Sequence, residues 1–209
     1  GFGSSVVSPC FRVSATNCSF TNISIAQFND VNVLVNVTAD YNTFDHVHFQ
    51  GIGNATTGDD TAGRCLVLTS AGETIVKNST IGLDTVARSV ANASLEVTGN
   101  CARNQFINCD FPLWADNSGA LAVLATTGNC TERFLKFEHC MFLNPTTIGG
   151  ATGMTVMMDT GATSNGMILL DGSGQFGATD WADDFTLLYS INIPTVPTQA
   201  TAGFMQVLA

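Results

Sequence analysis

The sequence is poor in charged residues, and above all in basic ones. Lysine and arginine number 7 against 17 aspartates and glutamates, which gives a formal net charge of −10, and only 11% of the 209 residues are charged. Ordinary globular domains carry roughly 25% charged residues. So few cations cannot form the basic face that binds nucleic-acid phosphates, and they equally disfavour an anionic membrane surface. We therefore expect neither nucleic acid nor a membrane as a partner.

Long apolar runs and metal-binding cysteine motifs are also missing. No run approaches the ~20 residues of a transmembrane helix. No signal peptide is recognisable, and a start at Gly1 rather than Met indicates a processed chain or an excerpt of a longer one. The seven cysteines include no CxxC pair and no zinc-ligand spacing. Because their number is odd, we predict unpaired, buried thiols and assembly in a reducing compartment.

Threonine, asparagine and glycine are abundant instead. The chain has 26 Thr, 17 Asn and 20 Gly, and its 45% of hydrophobic residues excludes a disordered chain. This composition is poor for helices and suits β-strands joined by tight turns. The sequence therefore predicts an all-β fold.

A short pattern recurs along the chain with a period of roughly 31 residues, a length typical of solenoid repeats. In its clearest copy Asn104, Phe106 and Asn108 alternate with other residues, and the alternation changes phase before it resumes at Cys109 and Phe111. The apolar residues that close the six copies are Phe20, Phe49, Ile81, Phe111, Phe142 and, in a degenerate last copy, Phe176. Their nearly even spacing indicates one structural unit that is repeated.

The change of phase indicates a bend at one polar position in each repeat. Asparagine tolerates the left-handed conformation that such a bend needs. Stacked copies would place these side chains about 4.8 Å apart, within reach of one another's hydrogen bonds. The predicted bend residues are Asn17, His46, Asn78, Asn108 and His139, with Ser173 in the last copy. The predicted core stack consists of Phe20, Phe49, Ile81, Phe111 and Phe142.

These features together predict a right-handed parallel β-helix of about six coils with a period of about 31 residues. Six coils make a rod of roughly 30 Å. The competing interpretation is a β-sandwich, which has no reason to repeat strand phase, bend residue and core aromatic together. The pattern ends near Ile193. We therefore assign residues 1–193 to the β-helix and residues 194–209, with their apolar end Phe204 to Leu208, to a C-terminal capping or inter-subunit segment.

The repeat resembles β-helix proteins encoded by tailed bacteriophages. The resemblance covers roughly residues 10 to 190. The motifs that carry it are the coil Asn78 to Thr85 with Arg88 and Ala91-Asn92-Ala93, the pair Asn104-x-Phe106 and Cys109-x-Phe111, and Trp181-Ala182-Asp183. The resemblance implies a virion component, either a head-fibre or capsid decoration protein or a tailspike-like part, that acts as a homotrimer with other capsid or virion proteins as partners. It carries over no catalytic residue and no cofactor.

Parallel β-helices also host polysaccharide-cleaving enzymes, so the outward carboxylates bear on function. Glycoside hydrolysis usually needs two carboxylates that flank the scissile bond. Asp110 and Glu138, on neighbouring coils, are the best pair of this kind. Asp45 lies beside Lys77, which indicates a surface ion pair. We therefore predict no catalytic residue, no metal and no cofactor.

Three functions remain as hypotheses at this point. The leading one is a non-enzymatic structural virion protein, a rigid homotrimeric rod that decorates or stabilises a capsid. The others are a receptor- or glycan-binding spike domain, which an exposed aromatic cluster would favour, and a polysaccharide depolymerase, which paired carboxylates in a trimer groove would favour.

Overall fold

The computed structural model describes residues 8–28, 30–145, 153–160, 166–183 and 187–192, so the predicted capping segment 194–209 lies outside the described residues. The described chain is all-β with almost no helix. Its strands are β1 (Phe11–Val13), β2 (Ser19–Ala26), β3 (Val33–Val37), β4 (Thr43–Gln50), β5 (Arg64–Thr69), β6 (Ile75–Lys77), β7 (Thr80–Ile81), β8 (Leu83–Arg88), β9 (Ala93–Thr98), β10 (Asn104–Ile107), β11 (Asp110–Ala115), β12 (Leu121–Thr127), β13 (Leu135–Glu138), β14 (Met141–Leu143), β15 (Met154–Asp159), β16 (Ile168–Asp171), β17 (Gly174–Phe176), β18 (Ala178–Ala182) and β19 (Leu188–Ile191). A single turn of helix, α1 (Ala55–Gly58), lies between β4 and β5.

The strands form two parallel sheets. Sheet A has seven strands in the order β1-β3-β5-β9-β12-β15-β18, and sheet B contains the other twelve and is strongly curled. Every strand pair among the described residues is parallel. These residues therefore do not form the antiparallel β-sandwich that was the competing interpretation.

Neighbouring strands come from consecutive passes of the chain. Leu66 lies opposite Leu95, and Phe106 lies opposite Phe137, so each residue meets its counterpart in the next repeat. In sheet B, β2 and β4 are long and bent, and their two halves begin two rows of shorter strands. The first row continues through β6, β10, β13, β16 and β19, and the second through β7, β11, β14 and β17.

The core lies between the sheets as stacks of like side chains. The rings of Phe106 and Phe137 stack at 5.2 Å, and those of Phe111 and Phe142 at 4.5 Å. All four are fully buried. Burying a phenylalanine side chain stabilises a fold by roughly 1.5–3 kcal/mol, so these stacks contribute strongly to folding.

The first repeat has a different register from the one that its spacing predicts. Phe20 lies opposite Phe44, and Ile25, not Phe20, lies opposite Phe49. Phe20 is only half-buried, whereas the other members of the predicted core stack are fully buried. The reason is that the pass from Ile25 to Phe49 contains fewer residues than the later passes of the second row. Counting back one full period from Phe49 therefore reaches Phe20 instead of Ile25.

The predicted bend residue Asn17 is displaced for the same reason. The position opposite His46 belongs to Asn22, whose φ is +57°. Asn17 also has a positive φ, +59°, but it makes an earlier bend, where its backbone N–H donates to the carbonyl of Asp40.

The last repeat differs by one residue. Gln175, not Phe176, lies opposite Phe142. The bend is made by Gly172, with φ +58°, rather than by Ser173. Glycine adopts this conformation without steric cost but carries no side chain that would mark its place in the pattern.

Candidate functional site: the outer face of the first row and its bend ladder

The bend between the two rows of sheet B carries a column of residues in the left-handed conformation. We call this column the bend ladder. It includes four of the six predicted bend residues, and its φ angles lie between +50° and +58°, at Asn22, His46, Asn78, Asn108, His139, Gly172 and Asn192. All of its side chains apart from glycine are exposed. The ladder therefore lines one surface edge of the molecule with amide and imidazole groups.

Hydrogen bonds connect the bend ladder to carboxylates on the preceding strands. Asn78 Nδ2 donates to Asp45 Oδ1 at 2.9 Å, and Asn192 Nδ2 donates to Asp171 Oδ1 at 2.8 Å. Asn108 Nδ2 donates to Asn78 Oδ1 at 3.3 Å. The hydrogen bond from Asn78 is the main reason why the pKa of Asp45 lies below its ordinary value of 3.8. The ladder thus favours the ionised form of this carboxyl group.

The outer face of the first row mixes charged and aliphatic side chains. Two outward columns cross it. One contains Thr43, Ile75, Gln105, Lys136, Leu169 and Tyr189, and the other contains Asp45, Lys77, Ile107, Glu138, Asp171 and Ile191. Tyr189 and Ile191 are 52% and 48% exposed, whereas Ile107 and Leu169 are half-buried.

The charges on this outer face are paired with one another. Lys77 Nζ lies 3.2 Å from Asp45 Oδ2, which confirms the predicted ion pair. Lys136 Nζ lies 2.7 Å from Glu138 Oε2 and 3.5 Å from Asp171 Oδ2, and the bond with Glu138 is the main cause that raises the pKa of Lys136. Aliphatic groups between neutralised charges suit contact with another protein surface better than they suit acid–base chemistry.

The best predicted carboxylate pair lies on two different rows. Glu138 is on β13 in the first row and is bonded to Lys136. Asp110 is on β11 in the second row, exposed and opposite Met141. The structure therefore places the two carboxylates on opposite sides of the bend.

A buried column of serine and cysteine runs beside the bend ladder. Its members are Ser79, Cys109, Cys140 and Ser173. Ser79 Oγ accepts from the backbone N–H of Val47 at 3.0 Å, and Ser173 Oγ accepts from that of Cys140 at 3.0 Å. The Cys109 and Cys140 thiols contact backbone carbonyls of the preceding pass at 3.4 Å. None of the seven cysteines forms a disulfide. The side chains of this column therefore provide hydrogen-bond partners for backbone groups at the bend.

Two buried asparagines make a second polar column that sequence analysis missed. Asn42 Oδ1 accepts from the N–H of Cys18, and Asn104 Oδ1 accepts from the N–H of Thr74, each at 2.8 Å. Their amide nitrogens donate to the carbonyls of Ala39 and Ala71. Each of these asparagines is the first residue of its copy of the repeated sequence pattern. This shared position was the only sign in the sequence of a common structural role.

A further bend, ahead of the first row, carries an aromatic and two ionic groups. Tyr41, Glu73 and Arg103 have positive φ, Tyr41 is 55% exposed, and Arg103 pairs with Glu73. The bond with Glu73 is the main cause that raises the pKa of Arg103. Near the same end of β13 lies an open depression of about 460 Å³ lined by Asn129, Glu132, Arg133 and Gly166.

Comparisons of the chain with protein-family models, with curated proteins and with solved structures find no significant match. In the described ranges, no group of three or more His, Cys, Asp or Glu side chains is placed to hold a metal ion. The part of the chain that the structure describes contains no helix long and apolar enough to cross a membrane.

Proposed function

We propose that the chain folds as a right-handed parallel β-helix of about six coils. Seven parallel strands in sheet A and seven in the first row support this architecture, with passes of about thirty residues in the middle of the stack and shorter passes at both ends. Connections between parallel strands of one sheet are almost always right-handed, which supports the hand. Seven strands at their usual spacing make a rod of roughly 30 Å.

We further propose that this rod is a non-enzymatic structural protein of a phage virion, of the capsid decoration or head-fibre type. One observation carries the structural role: like side chains occupy like positions in consecutive passes, as in the stacks Phe106–Phe137 and Phe111–Phe142. Such a stack gives a stiff body whose surface is presented at fixed intervals. The virion assignment is supported by the resemblance of the Asn78 to Thr85 coil and its neighbours to phage β-helix proteins.

In this proposal the rod is a homotrimer, and the outer face of the first row is the contact between copies. Ile107, Leu169 and Ile191 supply aliphatic area on that face, and its two lysines pair with its three carboxylates. With a net charge of −10, copies would repel one another across a face with unpaired acidic groups. A face whose carboxylates are paired with lysines reduces this repulsion between copies.

The mass of the protein in solution tests the homotrimer. In dilute solution, light scattering is expected to give three times the chain mass, and Ile107→Asp is expected to reduce it to one because the contact would then bury a second carboxylate next to Glu138. Thr85→Asp, at an exposed position on β8, is the matched control and should keep the trimer. A wild-type monomer at micromolar concentration, unchanged by removal of the residues after Thr201, would contradict the proposal.

The virion assignment has its own test. Electron microscopy of phage particles labelled with an antibody against the chain is expected to show label at regular positions on the particle. Purified particles that contain none of the protein by mass spectrometry would overturn the assignment and leave the trimer proposal standing.

A second candidate function is glycan binding, and the bend ahead of the first row favours it. An exposed tyrosine beside a carboxylate–guanidinium pair combines a ring face for stacking with polar groups for hydroxyls. Binding to a glycan array that is lost in Tyr41→Ala and kept in Tyr41→Phe would support this function. Equal binding by Tyr41→Ala would refute a role for this bend.

A further inference from the structure

Among the described residues, the core is incompletely covered at the β1–β2 end of the stack of strands. Within the described residues, β1 pairs only with β3, and β2 pairs only with β4. The core-facing side chains of β2, namely Phe20, Ile23 and Ile25, are half-buried. The residues opposite them are fully buried: Phe44, Val47 and Phe49. Another layer of strand on β2 would complete the burial that every inner pass already has.

The sequence around β2 lacks the side chains that commonly protect a strand edge from pairing. Edge strands are commonly blunted by charged side chains or proline. Between residues 11 and 28 the sequence has no proline, and its one charged residue is Arg12 on β1. The edge of β2 extends over eight residues, so it offers a long template for another parallel strand.

The opposite end of the molecule is bounded by β18 in sheet A and β19 in the first row, the last strands described in each. The side chains of Tyr189 and Ile191 are about half exposed there. Asp180 and Asp183 are both exposed at the β18 end, and Asp183 Oδ1 accepts from the N–H of Thr160 at 2.7 Å. This end is therefore acidic, whereas the β1 end carries one cation.

We propose that a second copy of this chain docks head to tail, so that β1 and β2 of one copy extend the sheets beyond β18 and β19 of the other. Strands at both ends run in the same direction, so parallel pairing continues across the junction. In sheet A, Arg12 begins a column of outward-facing residues that runs from strand to strand as far as Asp159. Asp183 occupies the next position of this column, one pass later. Arg12 of one copy would thus stack next to Asp183 of the other, with opposite charge.

Head-to-tail contacts of this kind do not close on themselves, so the assembly grows with concentration. This distinguishes it from the side-by-side trimer, which has one fixed mass. The inference does not depend on the proposed function, because lateral contacts on the first row leave both ends free.

Sedimentation velocity of the full chain over a wide range of concentrations tests the proposal. The mean mass of the wild type is expected to rise steadily with concentration. Arg12→Glu should raise the concentration at half-assembly by roughly tenfold, because an attraction becomes a repulsion. Adding Asp183→Lys to Arg12→Glu should restore assembly. Asp183→Asn keeps the acceptor for Thr160 and should weaken assembly without unfolding the chain.

A matched pair of lysine variants separates the edge from the rest of the surface. Ser19 lies on the edge of β2 in the first row, and Thr43 lies opposite it, one pass further in along the same outward column. Ser19→Lys should block growth, whereas Thr43→Lys should not. Equal effects of the two variants would overturn the proposal.

Two other outcomes would also overturn it. A wild-type mass that stays fixed at one or three chains at all concentrations would show that the ends do not associate. Growth that appears only after residues 193–209 are removed would show that the C-terminal segment of the same chain, not a second copy, covers the β19 edge.

Discussion

At the scale of single residues, backbone conformation decides which side chains the bend ladder accepts. Residues with φ near +50° are strained unless they are glycine, or asparagine and similar residues whose short polar side chains tolerate the conformation. The ladder uses asparagine four times, histidine twice and glycine once. This restriction explains why the bend was visible in the sequence as a polar column.

Asn108, with φ +51° and an exposed side chain, provides a direct test of this restriction. Asn108→Val is expected to lower the free energy of unfolding by about 1–2 kcal/mol, because a β-branched residue is strained in the left-handed region. Asn108→Gly is the control and should stay close to wild type. Urea denaturation measures both, and equal losses would mean that the lost amide, not the backbone, matters.

Asp45 makes stability depend on pH. Its pKa is lowered in the folded state, so ionisation favours folding: the contribution is present above about pH 4 and is lost as the pH falls through the folded pKa. Urea midpoints measured between pH 6 and about pH 2 should fall more for wild type than for Asp45→Asn. Asn78→Ala removes the hydrogen bond that lowers the pKa of Asp45 most, so it should also reduce the dependence of stability on pH. If both variants lose stability with falling pH as steeply as the wild type does, the dependence does not come from Asp45.

At the scale of strands, the stacked aromatic rings of sheet B make burial depend on position in the stack. Phe111 contacts rings on three sides, from Phe106, Phe137 and Phe142. Phe20 contacts Phe11 and Phe44, and it lies at the end of the stack that the described residues form. The same residue type therefore has a different energetic role in the middle and at the end.

Truncation of these two rings should show the difference. Phe111→Ala is expected to cost about 3–5 kcal/mol, because it opens a cavity among residues that cannot collapse into it. Phe20→Ala should cost distinctly less, since its side chain is already half-exposed. Denaturant unfolding compares them. Equal losses of unfolding free energy would mean that another segment or another copy covers Phe20 in solution. Repeating the measurement over a range of protein concentrations would then show whether a second copy does so.

The buried asparagines hold consecutive passes together through backbone groups. Asn104 is 1% exposed and bonds both the N–H of Thr74 and the carbonyl of Ala71. Asn104→Ala leaves both groups buried without this partner, and a loss of about 1–3 kcal/mol in unfolding free energy is expected. Asn100→Ala, at an exposed position, is the control and should change stability little. A small effect at Asn104 would show that water replaces the amide.

At the scale of the whole molecule, burial sorts the seven thiols into two groups. Cys10 is exposed and Cys18 half-buried, whereas the other five are buried. Burial raises the pKa of Cys101 to about 11, which further suppresses the reactive thiolate. A thiol reagent should therefore modify the first two cysteines in the native protein and the remaining five only after unfolding. Two or more disulfides in non-reducing mass spectrometry would contradict both this sorting and assembly in a reducing compartment.

The middle repeats were predictable because their spacing is regular. The closing residues from Phe49 to Phe142 follow one another at nearly equal intervals, and the structure aligns Phe49 with Ile81 and Phe111 with Phe142. The ion pair of Asp45 with Lys77 followed from the same spacing. The first and last repeats could not be aligned, because a short first pass and a glycine bend break the period.

By itself, the sequence determined the all-β class, the stacking of Phe106 on Phe137 and the polar nature of the bend, because these follow from local alternation and from residue types that tolerate a positive φ. Only the tertiary structure decided the register of Phe20 and Asn17, the partners of Asn104 and the pairing of Lys136 with Asp171. Each depends on groups from different passes of the chain, whose alignment is set by the length of the intervening pass and by which backbone groups remain to be satisfied.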